Sequence, residues 1–231
     1  MAKNAYLGAM GIPVWKSRRN LPFAKQIEQE MIASDSIFEE SGAETIGEWE
    51  LLQQQVAHCS ACDLYHNRKN TVFGVGNLQA DWMIVGEAPG EAEEARGEPF
   101  VGPAGQMLTQ MLLAIGISRE KVFIANILKC RPPENRDPKQ DEGNSCQHFL
   151  IRQINMIKPK IILAVGRVAA QNLLHSKELI SRIRGNTYIL EETQTPLIAT
   201  YHPAYLLRSP TEKSKVWADL VLAKKVLEGR L

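Results

Sequence analysis

The stretch "WMIVGEAPG" (Trp82–Gly90) joins a short, wholly apolar run to a turn built from Gly and Pro. A run of this length, bounded by turn residues, fits a strand buried on both faces. Further on, "GPAGQMLTQMLLAIG" (Gly102–Gly116) opens with Gly-Pro and keeps an apolar period near that of a helix. The alternation then continues. "VFIANILK" (Val122–Lys129) reads as a second strand, and "CQHFLIRQINMIK" (Cys146–Lys158) as a helix stopped by Pro159. "IILAVG" (Ile161–Gly166) reads as a third strand, "RVAAQNLLHS" (Arg167–Ser176) as a helix, and "PLIATYHP" (Pro196–Pro203) as the end of a fourth strand. Strands alternating with helices predict a three-layer α/β/α fold with a mostly parallel central sheet.

Such sheets carry their sites beyond the carboxyl ends of the strands. Three of those ends hold unusual chemistry: "GEAPG", "ANILKC" and "TYHPA". Ahead of the first strand, "WELLQQQVAHC" (Trp49–Cys59) has helical spacing, and "TEKSKVWADLVLAKKVLEG" (Thr211–Gly229) predicts a long amphipathic helix near the end of the chain. The segment "ASDSIFEESGAET" (Ala33–Thr45) is acidic, polar and weakly periodic, as a linker would be. The expected organisation is an N-terminal extension and linker over 1–48 and a folded domain over 49–231.

With 231 residues, 44% of them hydrophobic, the chain can bury a sizeable core. It has no apolar run of ~18 residues that would span a membrane. The N-terminus lacks the continuous apolar stretch of a secretory signal, so a cytoplasmic protein is expected. Net charge is only +1, but it is segregated. Residues 1–27 hold five Lys/Arg and no acid, 28–98 hold three against fifteen acids, and 129–186 hold eleven against five. A basic half on a neutral chain fits either a nucleic-acid footprint or a solvated surface.

The four cysteines, Cys59, Cys62, Cys130 and Cys146, follow the spacing C-x2-C-x67-C-x15-C. In a cytosolic chain they suit ligands better than disulfides. One turn can offer two thiolates to a metal, and the later pair can complete a four-thiolate shell. Zinc and a 4Fe–4S cluster both satisfy that arithmetic. Either would pin the loop "PPENRDPKQDEGNS" (Pro132–Ser145) and hold Arg131, Arg136 and Lys139 on one surface, where a phosphate backbone could meet them.

In this order, "GEAPGEAEEARGEPFVGPAGQML", "ANILKCRPPENRDP" up to Cys146 and "TYHPAYLLRSP" resemble the family-4 uracil-DNA glycosylases, the iron–sulfur branch of that superfamily. The likeness covers about residues 49–228. It implies hydrolysis of the N-glycosidic bond of uracil in DNA, leaving an abasic site, and a 4Fe–4S cluster on the four cysteines. The base would leave the stack and enter a pocket. There Phe100 would stack on it and Asn126 would read O4 and N3–H. His202 would stabilise negative charge at O2, and Glu87 would orient water or offset the oxocarbenium charge. Gly86 and Ala88 would bring backbone close to the base, and Glu93 would guard the C5 edge against a methyl group. Leu206, Leu207 and Arg208 match the segment that enters the minor groove. The chain departs from the family's commonest residues at Glu94 and Glu98, which are not the main catalytic positions. It has neither a P-loop nor the His/Asp set of a metal hydrolase.

The N-terminal "YLGAMGIPVWKSRR" (Tyr6–Arg19) lies outside that pattern. It resembles the N-terminal segment of the psi subunit of the bacterial polymerase III clamp loader. That likeness implies a second class of function, a replisome adaptor on a glycosylase fold. Within residues 1–32, Tyr6, Leu7, Met10, Ile12 and Trp15 would be apolar anchors, and Lys16, Arg18 and Arg19 a polar rim. The domain itself is expected to act as a monomer on uracil-containing DNA.

Overall fold

The computed structural model describes residues 47–230. The clamp-loader-like anchors Leu7, Met10, Ile12 and Trp15 lie outside the described residues. From Glu48 the chain forms one compact unit. A first helix, α1, covers 47–57. The strands are β1 (Val75–Gly76), β2 (Trp82–Gly86), β3 (Val122–Asn126), β4 (Ile161–Val165), β5 (Thr187–Leu190) and β6 (Thr195–Thr200). The remaining helices are α2 (Glu91–Arg96), α3 (Pro103–Ala114), α4 (Gln140–Ile157), α5 (Arg167–Leu173), α6 (Ile180–Ile183), α7 (Pro203–Arg208) and α8 (Lys213–Leu227).

The sheet order is β1-β3-β2-β4-β6-β5. The inner four strands are parallel, and the edges β1 and β5 run antiparallel to β3 and β6. Successive side chains of a strand point to opposite faces, so each inner strand feeds two cores. Met83 and Val85 of β2 join Phe123, Ile162, Leu150, Ile154 and Leu173 under α4 and α5. Trp82 and Ile84 join Val122, Ile161, Leu108, Leu112 and Leu220 under α3 and α8. Every residue of β2, β3 and β4 is buried, and covering both faces of the sheet makes the expected three layers.

A third cluster lies beyond the sheet. Leu52 and Val56 of α1 pack with Leu64, Phe73, Leu128 and Phe149, and Cys130 and Cys146 belong to it. The cysteine-bearing segments therefore share a small core of their own.

Several boundaries differ from the sequence expectation. The second strand ends at Asn126 rather than running to Lys129. Beyond it the backbone still donates from Ile127 N to Gly86 O and from Leu128 N to Glu87 O. The helix expected from Cys146 starts six residues earlier, at Gln140. Glu142, 2% exposed, is the cause: its carboxylate accepts from Lys139 N at 2.8 Å and from the Arg136 guanidinium, satisfying a helix N-terminus that carries no Ser or Asp cap. The two edge strands add to the four expected. β1 is only two residues long, and β5 has one buried residue of four, so neither presents the apolar run that marks the inner strands.

Candidate active site and cysteine cavity

Parallel pairing of β2 with β3 sets Gly86 directly beside Asn126 at the carboxyl edge of the sheet. The approach is too close for any side chain at position 86. A Cβ there would lie 2.4 Å from Asn126 Oδ1 and 2.7 Å from the Phe100 ring. Asn126 is 2% exposed, and its Oδ1 has no hydrogen-bond partner among the described residues. A buried acceptor left in this state costs roughly 1–3 kcal/mol, which a bound donor would recover.

Phe100 sits on a turn with φ of 55°, a left-handed conformation that bulky residues seldom adopt. Two contacts hold it there. Glu93 Oε1 accepts from Val101 N at 3.1 Å and Gly102 N at 3.3 Å. Gly105 of α3 lies so close beneath the turn that a Cβ would fall 1.7 Å from the Phe100 carbonyl oxygen. The Phe100 ring faces His202, with centroids 5.7 Å apart and planes 30° apart. Glu93, expected at the far edge of a bound base, does line the pocket, and its carboxylate also fixes the aromatic turn.

His202 follows β6 and caps α7, its Nδ1 accepting from Ala204 N at 3.2 Å. An Nδ1 that accepts must leave the ring proton on Nε2. Burial, helped by the Arg208 cation and opposed by Glu93, lowers this imidazole to a pKa of about 4. At neutral pH it is therefore an uncharged ring with one N–H to donate. Glu87 is displaced the other way. Burial raises it to about 7, with Asp137 adding to the rise and Arg167 opposing it, so it is poised between charged and neutral forms. With Ala88, Glu93, Phe100, Asn126 and Arg208, these two groups line an open cavity of about 570 Å³.

The basic residues divide by what already engages them. Arg131 reaches Glu91 and Glu94 and donates to Asn135 Oδ1 at 2.8 Å. Arg136 makes a two-pronged contact with Glu142. Lys139 and Arg208 are exposed. Leu206 requires a correction. At 1% exposure it packs into the core under α7 and is not available as a wedge. Leu207, 46% exposed on the outer face of the same helix turn, has the freedom that the role needs. The sequence expectation also passed over Arg167 and Asp137, which are ion-paired at 2.5 Å close to Glu87. Arg167 follows the end of β4, "AVGR", the one inner strand end that the sequence reading did not single out, so the strand-end rule applied to all four strands would have reached it.

The four cysteines are free thiols lining one enclosed space with Val56, Leu64, Leu128 and Phe149. N–H donors face their sulfurs. Arg68 Nη1 donates to Cys130 Sγ at 3.4 Å, Lys129 N to Cys146 Sγ at 3.3 Å, and Ala61 N to Cys59 Sγ at 3.5 Å. Arg68 is itself clamped by the carbonyls of Ala57 and Cys59. Burial raises the Cys62, Cys130 and Cys146 thiols, the last to about 11. Among the described residues no three His, Cys, Asp or Glu side chains stand close enough together to hold a single metal ion. The thiols surround a shared space instead.

A family model for the uracil DNA glycosylase superfamily matches residues 73–221. A type-4 uracil-DNA glycosylase of Archaeoglobus fulgidus is 44% identical over 172 residues, covering 72% of this chain and 86% of the relative. Another, from Thermotoga maritima, is 42% identical over 182 residues, covering 78% and 94%. The chain therefore belongs to the uracil-DNA glycosylase superfamily, in its type-4 branch. A DNA polymerase of Bacillus phage SP01 is also similar, 31% identical over 159 residues that make up 17% of that polymerase.

The ring state of His202 can be checked by ¹⁵N NMR of the folded protein. It is expected to show an Nε2–H tautomer that titrates near pH 4. An unfolded imidazole titrates near ~6.5, so between these values the unfolded chain binds the extra proton. The residue's contribution to stability is then intact above ~6.5 and lost as pH falls toward the folded value. A ring titrating near ~6.5 in the folded state, or protonated on Nδ1, would contradict the assignment.

Proposed function

We propose that the protein flips uracil out of DNA and hydrolyses its N-glycosidic bond, with Asn126 as reader, Phe100 as stacking platform, His202 as donor to the leaving base and Glu87 as the water-orienting carboxylate. The observation that carries this reading is the buried, unpartnered Asn126 Oδ1 beside Phe100. It is an acceptor in want of a donor, and uracil offers N3–H. Cytosine offers an acceptor at N3 and a donor at its amino group, the reverse pattern. As the bond breaks, its electron pair leaves with uracil N1 and the charge spreads to O2, where the His202 Nε2–H can donate. A neutral donor suits the task, because it does not lose a proton to the anion it stabilises. Water adds to C1′, and the proton released passes to the Glu87 carboxylate or to solvent. Gly86 and Ala88 let the backbone approach the base, and Glu93 closes the C5 side.

Purified protein is expected to leave abasic sites in uracil-containing oligonucleotides and none in matched thymine-containing ones. His202→Ala is expected to lower the rate roughly 10²–10³-fold, the scale of one lost oxyanion donor. Asn126→Asp is expected to shift preference from uracil toward cytosine. Unchanged rates in both variants would move the active site elsewhere.

The reading includes a 4Fe–4S cluster held by Cys59, Cys62, Cys130 and Cys146, serving as a structural crosslink away from the base pocket. It is supported by four free thiols around one cavity with N–H donors facing sulfur, as thiolate ligands require. The choice of iron over zinc comes from the type-4 resemblance, since four thiolates also suit zinc. Anaerobically purified protein is expected to contain iron and acid-labile sulfide in about equal amounts, with broad absorbance near ~400 nm. Zinc without iron would refute it.

DNA contact falls to Lys139, Arg208 and Leu207, with Arg131 and Arg136 shaping the loop beside them. The domain is read as a monomer, since Glu87, Phe100, Asn126 and His202 line one cavity of a single chain. Among the described residues no helix is long and apolar enough to cross a membrane. A second reading, attachment to the replisome through residues 1–32, is favoured by the resemblance of "YLGAMGIPVWKSRR" to the psi peptide. Deleting residues 1–32 is expected to leave excision on short oligonucleotides nearly unchanged and to abolish binding to the cognate clamp loader. Trp15→Ala is expected to remove most of that affinity, on the scale of a ~2 kcal/mol anchor. Equal binding by truncated and full-length chains would overturn this.

A further inference from the structure

Glu87 stands where two clefts meet. One is the base pocket. The other shares Glu87, His202 and Arg208 with it and is walled by Gly166 and Arg167 at the start of α5. On the wall of this second cleft, Arg167 Nη2 meets Asp137 Oδ2 at 2.5 Å. The two partners come from separate parts of the chain, Arg167 from the end of β4 and Asp137 from the loop between Cys130 and α4. Both ends are braced. Arg167 Nη1 donates to Gln171 Oε1 at 3.2 Å, and Arg136 Nη1 donates to Asp137 O at 3.0 Å while gripping the buried Glu142.

The pair is exposed, with side-chain exposures of 45% for Arg167 and 69% for Asp137. Pairs of that kind add little to folding stability, so the fold does not account for its bracing. We propose that the Asp137–Arg167 pair is a positioning device for Glu87, holding a cation on the wall of its cleft with an anion paired to it, so that its charge is set before the substrate arrives. This rests on the reading of Glu87 as the carboxylate that acts on water.

Beyond burial, Asp137 and Arg167 are the two charges that act on Glu87, in opposite senses: Asp137 raises it and Arg167 lowers it. The other titratable and charged groups facing the two clefts are Glu93, Arg136, Tyr201, His202, Tyr205 and Arg208. Of these, His202 is uncharged above about pH 4.

The test is the pH profile of single-turnover excision of uracil from an oligonucleotide at low salt. If Glu87 acts as a carboxylate, the rate falls as pH drops through its pKa of about 7. Asp137→Asn removes the charge that raises it, so the acid limb moves to lower pH. Arg167→Gln removes the charge that lowers it, so the limb moves to higher pH, and Arg167→Lys restores the original position. At pH 6, relative to each variant's own plateau, the changes are expected to be roughly threefold and of opposite sign, the scale of one partly screened charge. A merely structural loss would lower the plateau without moving the two limbs in opposite directions. Glu87→Gln separates the layers of the argument. If it keeps the wild-type acid limb, the role of Glu87 itself is wrong. If it abolishes the limb while Asp137→Asn and Arg167→Gln leave it in place or shift it the same way, Glu87 stands and the positioning pair is overturned.

Discussion

The contact between Gly86 and Asn126 is the constraint on which the rest of the site depends. Two parallel strands in register bring their last residues side by side, and the space left between them and Phe100 admits no Cβ. Asn126 is packed there at 2% exposure, with no partner for Oδ1 among the described residues. Phe100 is fixed by a different means, a left-handed turn restrained through Glu93 and Gly105. The pocket is thus pre-organised at some cost to the fold, since an unsatisfied acceptor and a strained turn both raise the free energy of the empty protein. A ligand that donates to one and stacks on the other recovers part of that cost, and this is how a site can favour one base over its near isosteres.

Burial then sorts the two ionisable groups. The same low-dielectric surroundings that lower His202 raise Glu87, because each environment disfavours the charged form. The consequence is asymmetric. His202 becomes firmly neutral and a single-proton donor. Glu87 is left near the midpoint, where small changes in nearby charge have the largest effect on its ionisation. A carboxylate in that state is unusually sensitive to Asp137 and Arg167, which gives an exposed ion pair a leverage on chemistry that it lacks on stability.

The fold was largely legible in the sequence, for a physical reason. Inner strands buried on both faces must be apolar throughout, and "WMIVG", "VFIAN" and "IILAV" announce themselves. β5 has one buried face and β1 is too short for a pattern, so neither does. The early start of α4 was hidden because Glu142 supplies the N3 half of a capping box, with help from Arg136, while the N-cap position holds Lys139 and not the Ser or Thr that would signal it. Leu206 and Leu207 are neighbours in sequence, and only the orientation of α7 decides that the first is core and the second is surface.

Site residues at strand ends were legible because the topology forces strand ends together. Glu87, Asn126 and His202 are each at or just beyond such an end. Arg167 shares that position, but Asp137 does not. Asp137 lies in the loop that the cysteines bracket, and its place beside Glu87 depends on Arg136 and Glu142 tying the loop to α4. Cys130 and Cys146 bind the two ends of the same loop into the small core beneath α1. The loop is therefore held at both ends by cysteines and near its middle by a buried carboxylate. Packing Cys130 and Cys146 into that core limits where Asp137 can go, and through Asp137, the charge that Glu87 experiences.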